Sequence, residues 1–462
     1  MTDTSSSLAD LTVRMDRARF GPLHRRVITL LGSAMVFDAF DVYVVSVVAV
    51  AATSFRITDA TLGFIVSASY VGQLVGSLLL GYMSERIGRK WAVIASLLSF
   101  GLMSLAAALS PDVTAFVWMR VLQGIGIGAL PPIAGAMCSE FLPSGNRGKI
   151  GMLFQALYPA GAILSPLLGL LALQLFDSDT AWRVLFVFGG VPLLLGLVCI
   201  SKLPESPRWL ATKERWTEAE EVVAQLEGDA PHPAASRPTA GRSAAATRSA
   251  PGRIDYAELF SAVYWRRTIL MWVQSFTAFF VVNSFTSFLP RLYVTVGGLS
   301  RENAFVLSTV FAVLELLFVI GIAFVWDRTG RKPWFVAGYA LAVVGAGTAW
   351  AAFALLHSTG WIVLATAGVL SALGTYVSVG GAYLYHPELF PTRIRSWATS
   401  TGRAARSLAS IVAPVALGQI LVSEYGVSGA FAMFFFVSLV GLITMVWLGV
   451  ETKSRSLEQI AR

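Results

Sequence analysis

Long apolar stretches alternate with short polar stretches along almost the whole chain. A helix that crosses a membrane needs about 20 mostly apolar residues, and twelve stretches approach that length. They lie at residues 27–52, 60–83, 90–109, 113–138, 149–172, 182–203, 267–289, 303–325, 333–355, 361–385, 397–421 and 428–449. A large soluble helical protein would show a polar face on each helix, so the pattern predicts twelve membrane-spanning helices.

The longest polar stretch divides the chain into two groups of six spans. The predicted order is an N-terminal segment at 1–26, a six-helix bundle at 27–203, a connection at 204–266, a second six-helix bundle at 267–449 and a tail at 450–462. Within the connection, 212–227 has the pattern of an amphipathic helix. Gly228–Arg253 has hardly any large apolar residues, which is typical of a disordered linker. The predicted fold class is an all-α integral membrane protein.

The two halves repeat each other in sequence. Gly81–Lys90 and Ala323–Lys332 are short basic loops that lie between two spans of their half, and their charged residues and glycines correspond at a constant offset. The endings Glu140–Pro143 and Glu388–Pro391 also match, each after the fourth span of its half. Such repetition is typical of transporters whose halves form two pseudo-symmetric bundles.

Charge supports a membrane protein and orients it. Only 13% of residues are charged, whereas 55% are hydrophobic. The net charge of +8 comes from bases in alternate connections, which argues against nucleic-acid binding and places these connections and both termini in the cytoplasm. These bases are Arg14 to Arg26, Arg86 to Lys90, Arg147 and Lys149, Lys202 to Arg267, Arg328 to Lys332, Arg393 and Arg395, and Lys453 to Arg462. The predicted location is the inner (plasma) membrane.

Several motifs together resemble the major facilitator superfamily over nearly the whole chain. They are Gly81, Glu85, Arg86, Gly88, Arg89 and Lys90 of the first basic loop, Arg120 with Gly124, Gly126 and Gly128 of span four, and the half endings Pro204–Leu210 and Glu451–Glu458. The half endings are similar to those of sugar porters. Asp38–Asp41 and His386–Arg395 are more similar to the niacin, aromatic-acid and organic-ion branch. The resemblance implies two bundles that rock about a central substrate site.

Charged residues inside the spans are candidate functional residues, because each costs about 2.5–3.5 kcal/mol to insert. They are Asp38, Asp41, Arg120, Glu315, Arg403 and Arg406. Asp38 and Asp41 are three residues apart and share a helix face. Sugar-porter-like relatives pair a first-span aspartate with a fourth-span arginine. The resemblance therefore implies that Asp41 carries the proton and that Arg120 is its partner, and Asp41 is favoured over Asp38.

Two further charges have open interpretations. Arg406 in span eleven is a candidate partner for an anionic substrate, because a guanidinium binds a carboxylate through two hydrogen bonds. Organic-anion members of the superfamily also carry arginine in this span, whereas Arg403 is closer to the cytoplasmic surface. Glu315 in span eight either neutralises Arg406 or takes part in proton coupling. A buried structural ion pair is the alternative interpretation for each of these charges.

A polar and aromatic set is predicted to contact the substrate. It comprises Arg406, Asn283, Phe276, Phe279, Phe280, Gln155, Tyr158, Tyr376 and Tyr383. The three phenylalanines and Asn283 share one face of span seven, and Tyr376 and Tyr383 share one face of span ten. Such an aromatic face is also typical of a helix core or of lipid contact. The small number of polar side chains on span seven argues against a polyhydroxylated sugar as the substrate, because such a sugar needs many hydrogen-bond partners.

The basic loops are predicted to control opening of the cytoplasmic side. The gating residues are Glu85, Arg86 and Arg89 with their counterparts Asp327, Arg328 and Arg331. We expect them to bind acidic groups and helix C-termini of their own half and to stabilise the outward-open state. The alternative is that the bases only anchor the protein at the membrane surface.

The function predicted is proton-coupled uptake of a small organic anion, an aromatic carboxylate such as nicotinate by resemblance. The alternatives are a proton-coupled sugar importer, a proton-driven exporter of drugs or metabolites, and a receptor without a transport cycle. No nucleotide-binding loop and no metal-ligand cluster occur in the sequence, so we expect no enzyme activity and no cofactor other than the coupled proton. The expected partners are the substrate and the lipid bilayer, and a single chain is expected to act as a monomer.

Overall fold

The computed structural model describes residues 3–51, 55, 57–142, 154, 157–228, 256–356 and 360–452. Within these ranges, the side chains of 3–9, 51, 256, 257, 319, 322–329, 383, 384, 392, 393 and 396 are outside the description. Every regular element of the described residues is a helix. The predicted linker lies outside the described residues except for its first residue, Gly228, which is in a turn.

Helices α1 to α9 form the first half. They are α1 Asp3–Arg17, α2 Pro22–Ala51, α3 Asp59–Ile87, α4 Arg89–Ala108, α5 Val113–Gly128, α6 Leu130–Phe141, α7 Leu157–Leu175, α8 Ser178–Phe188 and α9 Val191–Lys202. Span four is thus two helices that meet at Ala129, and span six is two helices that meet at Gly189 and Gly190. Both breaks lie next to prolines at the start of the following helix, where a missing N–H costs nothing.

The connection contains two short helices, α10 Pro207–Thr212 and α11 Trp216–Glu227, and a turn of 3₁₀-helix at Tyr256–Phe260. α1 packs on α11, where the Arg14 guanidinium donates two hydrogen bonds of 2.9 and 2.8 Å to the Glu227 carboxylate. The N-terminal segment therefore packs on the connection that follows the sixth span of the first half.

Helices α12 to α17 form the second half. They are α12 Trp265–Thr295, α13 Arg301–Thr329, α14 Lys332–Leu355, α15 Trp361–Glu388, α16 Thr392–Val422 and α17 Gly426–Leu448. Eleven spans of the described chain have the length and hydropathy to cross a membrane. α13 is the twelfth, and its first half carries Arg301, Glu302 and Glu315. The predicted all-α fold with twelve spans in two bundles is confirmed.

Side chains set where the helices begin and end. Thr58, Asp112 and Ser300 each accept a hydrogen bond from the N–H three residues later, which satisfies a free donor at the start of α3, α5 and α13. Gly88 and Gly330 have φ values of +112° and +98°, a region that favours glycine, and they separate α3 from α4 and α13 from α14. We call the side of the molecule with Gly88 and Gly330 the loop end, and the other side the opposite end.

The hydrophobic cores differ between the two ends. At the opposite end, one core contains side chains of both halves, among them Phe116, Trp182, Phe285 and Phe305. At the loop end the first half has its own core, which includes Cys138 and Cys199, and the second half has another around Phe335. Among the described residues, the two bundles therefore share a large hydrophobic core at the opposite end and have separate cores at the loop end.

Candidate functional site

The centre of the first half holds a buried ion pair between α2 and α5. Arg120 Nη1 donates to Asp41 Oδ1 at 2.6 Å, and Gln123 Nε2 donates to the same oxygen at 2.8 Å. Arg120 Nη1 also donates to Gln123 Oε1 at 2.7 Å. Asp41 and Arg120 are each 2% exposed and Gln123 is fully buried. A buried pair is tolerated when hydrogen bonds satisfy its remaining groups, yet Asp41 Oδ2 has no partner among the described residues.

Close packing of α3 on α5 holds Arg120 in place. Gly124 and Gly128 of α5 lie against the backbone of Ser69 and Gln73, so that a Cβ at either glycine would overlap α3. Gly72 of α3 makes the reciprocal contact with the α5 backbone. Small residues at such positions let two helices approach closely. The arginine thus extends from a rigid helix pair toward α2.

A second group of polar and aromatic residues extends from this pair toward the second half. Asp38 is buried one turn before Asp41 on α2, and it lies within electrostatic reach of both Asp41 and Arg406. The Arg406 guanidinium lies over the Phe279 ring at 4.8 Å from the centroid, a cation–π contact. Tyr70 of α3 lies within reach of the same charges. Arg406 is half-buried, and Arg403, one turn earlier, is exposed.

The predicted face of span seven is packed against span eleven. Phe280 is buried with Ala409 and Ala413 of α16, and Phe276 and Phe279 are half-buried beside them. Asn283 Nδ2 donates to Ser410 Oγ at 2.6 Å, and this hydroxyl donates to the Arg406 carbonyl at 3.0 Å. The hydrogen bond to Ser410 ties Asn283 to the helix that carries Arg406.

Glu315 lies in a different environment, at the junction of the two halves. Tyr43 Oη of α2 lies 3.4 Å from both carboxylate oxygens of Glu315 and 2.7 Å from Tyr376 Oη of α15. Tyr158 of α7 packs beside Tyr43 in a small cluster that also includes Ala312 of α13. The described ion pairs do not include one between Glu315 and Arg406.

Some predicted site residues fall outside the description. Gln155 lies outside the described residues. The side chains of Tyr383, Asp327 and Arg328 are also outside the description, although their backbone lies in α15 and α13. The roles that the sequence predicts for these four residues remain predictions.

The loop end has the same construction in both halves. The Glu205 carboxylate accepts the backbone N–H groups of Arg89 and Lys90 at 3.0 and 3.2 Å, and the Glu451 carboxylate accepts those of Arg331 and Lys332 at 2.9 and 3.1 Å. Burial raises the pKa of Glu205, and these backbone donors oppose the rise. Each basic loop is therefore fastened to the segment that follows the sixth span of its half.

The ion pairs described at the loop end also join residues of one half. Arg89 lies 3.4 Å from Glu140 and 3.5 Å from Glu85, and Arg331 lies 3.5 Å from Glu388. The Glu85 side chain is 70% exposed. Arg86 stacks on the Tyr82 ring at 4.5 Å.

At the opposite end, an arginine joins the two halves. Arg291 of α12 donates to the Asp59 carboxylate of α3, to the Ala49 carbonyl at 2.9 Å and to the Ile57 carbonyl at 2.6 Å. Arg301 Nη1 donates to Ser178 Oγ at 2.6 Å and forms a second link between halves. The opposite end is therefore sealed while the loop contacts within each half are formed. Those loop contacts by themselves do not distinguish an outward-open state.

The family is decided by sequence comparison. Residues 27–462 match the profile described as "Sugar (and other) transporter". The chain belongs to this family of the major facilitator superfamily. It is a membrane transporter and not an enzyme, as predicted.

Relatives and solved structures agree with this assignment. The niacin transporter NiaP of Acinetobacter baylyi is 28% identical over 458 residues, which cover 98% of this chain and 99% of NiaP. The 4-hydroxybenzoate transporter PcaK of Pseudomonas aeruginosa is 27% identical over 88% of this chain and 90% of its own. The xylose transporter XylE of E. coli, in a partially occluded inward-open conformation, superposes with a TM-score of 0.74 at 20% identity, covering 94% of this chain and 100% of XylE.

Three contacts of this transporter were not predicted from the sequence. Gln123 is an uncharged residue in an apolar span, so only its spacing of three residues from Arg120 could have placed it beside the ion pair. Tyr43 follows Asp41 by two residues, and nothing in the sequence relates it to Glu315. The contact between Arg291 and Asp59 joins two residues 232 positions apart in ordinary polar connections.

Proposed function

We propose that this transporter takes up a small organic anion together with protons, and that the anion is an aromatic carboxylate such as nicotinate. The observation that carries the proposal is the buried contact of Asp41 with Arg120 and Gln123. We infer that the basic loops face the cytoplasm, which corresponds to the positive-inside distribution. The sealed opposite end then corresponds to a state that faces the cytoplasm.

The proton step follows from what surrounds Asp41. Two donors bind one carboxylate oxygen while the other, Oδ2, is buried without a described partner, so a proton from water can bind there. Binding turns the carboxylate into a neutral acid and weakens its attraction to Arg120. Because Arg120 Nη1 also donates to Gln123 Oε1, α2 can separate from α5 while Arg120 keeps a hydrogen-bond partner on its own helix. Separation of the two helices during rocking would thus raise the proton affinity of Asp41, and the return of Arg120 would release the proton.

The anion step uses Arg406. A carboxylate pairs with a guanidinium through two hydrogen bonds, and an aromatic ring attached to it would stack beside Phe279, which already lies against Arg406. Asp38 lies within electrostatic reach of Arg406. The relatives named as niacin and 4-hydroxybenzoate transporters support this class of substrate. Their names describe two aromatic carboxylates.

Uptake of radiolabelled nicotinate into proteoliposomes tests the proposal. Wild-type protein should accumulate nicotinate under an inward proton gradient and should not accumulate it when neither a proton gradient nor a membrane potential is imposed. Asp41→Asn should lose this accumulation and keep exchange of labelled for unlabelled nicotinate. The asparagine side chain is always neutral, so the transporter can change conformation without binding a proton there. The control is Asp177→Asn, an exposed carboxylate at the start of α8.

Three outcomes would contradict parts of the proposal. Full accumulation by Asp41→Asn would show that the proton binds elsewhere. Uptake of xylose without uptake of nicotinate would favour the sugar importer that the family description also includes. Nicotinate loss from loaded vesicles in exchange for protons would favour an exporter.

A further inference from the structure

A second buried carboxyl group lies at the junction of the two halves. Glu315 is 1% exposed, and its two oxygens are equally far, at 3.4 Å, from Tyr43 Oη. Tyr43 comes from the first half, whereas Glu315 and Tyr376 come from the second. The three side chains therefore form a hydrogen-bonded link across the boundary along which the bundles move.

The groups that face Glu315 are phenols. Tyr43 of α2 and Tyr376 of α15 act on it directly, and Tyr158 of α7 packs beside Tyr43. On α12 and α14, the titratable side chains Arg291 and Tyr339 are engaged elsewhere, and the buried Tyr293 of α12 packs in the core of the opposite end. Arg291 is bound to Asp59 and Tyr339 to Thr277.

Arg120 and Arg406, the arginines of the candidate site, lie elsewhere. Arg120 binds Asp41 and Gln123, and Arg406 lies on Phe279 within reach of Asp38. Among the described residues, no ion pair includes Glu315. A buried carboxylate without a cation is costly, whereas a neutral carboxylic acid with hydrogen-bond partners is not. The environment of Glu315 thus favours the acid.

We propose that Glu315 is a second proton-binding site of the transport cycle and that it holds a proton while the junction with Tyr43 and Tyr376 is closed. The acid donates its proton in a hydrogen bond to Tyr43, and Tyr43 donates to Tyr376. When the halves part at the opposite end, the carboxylate takes this proton from external water. After that end closes and cytoplasmic water reaches the junction, the acid passes the proton to that water, so the proton moves inward with the substrate. Asp41 differs from Glu315 because a guanidinium lies beside it and favours its carboxylate form.

The charge balance of transport follows, and this step rests on the proposed function. One proton on Asp41 and one on Glu315 accompany one monovalent anion, so each cycle moves a net charge of +1 inward. With glutamine at position 315, one proton accompanies one anion and no net charge moves. A membrane potential therefore drives the wild type but not Glu315→Gln.

Infrared difference spectroscopy tests the protonated acid without any substrate. Purified wild-type protein should show a pH-dependent C=O band of a buried carboxylic acid, and Glu315→Gln should lose one component of it. Asp41→Asn should keep that component. Glu302→Gln, which removes an exposed carboxyl from the first turn of the same helix, should resemble the wild type. An unchanged band in Glu315→Gln would overturn the proposal.

Transport under an imposed potassium diffusion potential tests the charge balance. Wild-type proteoliposomes should accumulate nicotinate with an inside-negative potential alone, and Glu315→Gln should respond to a pH gradient but not to the potential. An equal response of both proteins to the potential would overturn the second-proton assignment. If neither protein transports nicotinate, the proposed function fails, and the infrared result still decides the protonation of Glu315.

Discussion

At the opposite end, side chains of both halves share one hydrophobic core, and Arg291 binds Asp59 and two carbonyl groups of the other half. At the loop end, each half has its own core and its own glutamate, Glu205 or Glu451, which binds the basic loop of that half. Contacts between halves must form and break in every transport cycle, but contacts within a half need not, apart from the proton-coupled pair of Asp41 and Arg120. The opposite end therefore holds the variable contacts, and the loop end holds the contacts that keep each bundle rigid.

The largest effect is expected at the two loop glycines. Gly88→Ala places a Cβ at a φ of +112° and against the Glu205 carboxylate, which would have to leave its backbone donors. Backbone strain and the lost hydrogen bonds together predict a destabilisation of about 2–4 kcal/mol. Gly330→Ala should act in the same direction with a smaller loss, because its contact with Glu451 is looser. The measurement is the thermal unfolding midpoint in detergent.

Gly81→Ala is the matched control for the glycine comparison. It lies in the same loop motif, inside α3, with open space around its Cβ position, and alanine stabilises a helix interior by about 0.5–1 kcal/mol. Its unfolding midpoint should equal or exceed that of the wild type. If Gly88→Ala and Gly81→Ala unfold alike, the strained loop is not what holds this end together.

A smaller effect is expected when the link between halves is broken. Asp59→Asn keeps the size of the side chain but removes the charge that binds Arg291. A half-buried charged contact predicts a loss of about 1–2 kcal/mol for the sealed state, or roughly tenfold in its population. Cysteines introduced at Pro111 and Glu424, which are exposed in different halves at this end, can carry spin labels. Double electron–electron resonance should report a longer distance between the two labels in Asp59→Asn than in the wild type. The native Cys138 and Cys199 are buried and should not react with the label.

Asp177→Asn is the control for this distance measurement. It removes a carboxylate at the same end, but that carboxylate caps α8 within the first half. The label distance should stay as in the wild type. A widening in this variant equal to that in Asp59→Asn would mean that total charge, and not the contact between halves, sets the closed state.

The smallest effect is expected from the titration of Glu205. Burial raises its pKa above the ordinary value of 4.5, so the folded protein binds this proton more tightly than the unfolded chain. The stabilisation is complete below that ordinary value and decreases as the pH rises through the raised value. Glu205→Gln should remove this contribution and flatten the pH dependence of the unfolding midpoint in mild acid. An unaltered pH dependence would show that the carboxyl titrates normally.

The fold could be predicted because its signals are long and repeated. Runs of about 20 apolar residues and the matching loops of the two halves leave few alternatives to a twelve-span transporter. The breaks at Ala129 and at Gly189 could not be placed. Small residues inside an apolar run have the same hydropathy whether the helix continues or bends.

The candidate site was predictable only where charge stands out against apolar sequence. Asp41 and Arg120 are conspicuous because an ion inside a membrane needs a partner, and the resemblance to sugar porters relates one to the other. Gln123 and Tyr43 carry no such signal. Arg291 and Asp59 lie in polar connections, where charges are normal, and only the packing of the two halves brings them together. Contacts between the two bundles are therefore the part of the mechanism that the hydropathy pattern cannot predict.

The position of Glu205 in the chain has a consequence for biosynthesis. It directly follows the sixth span, and it binds N–H groups at the start of the third, so this clasp can form only after the ribosome has made the entire first bundle. Glu451 has the same place in the second bundle. Each bundle is therefore fastened by a residue that directly follows its last span, and the first bundle can be completed in the membrane while the second is still being translated.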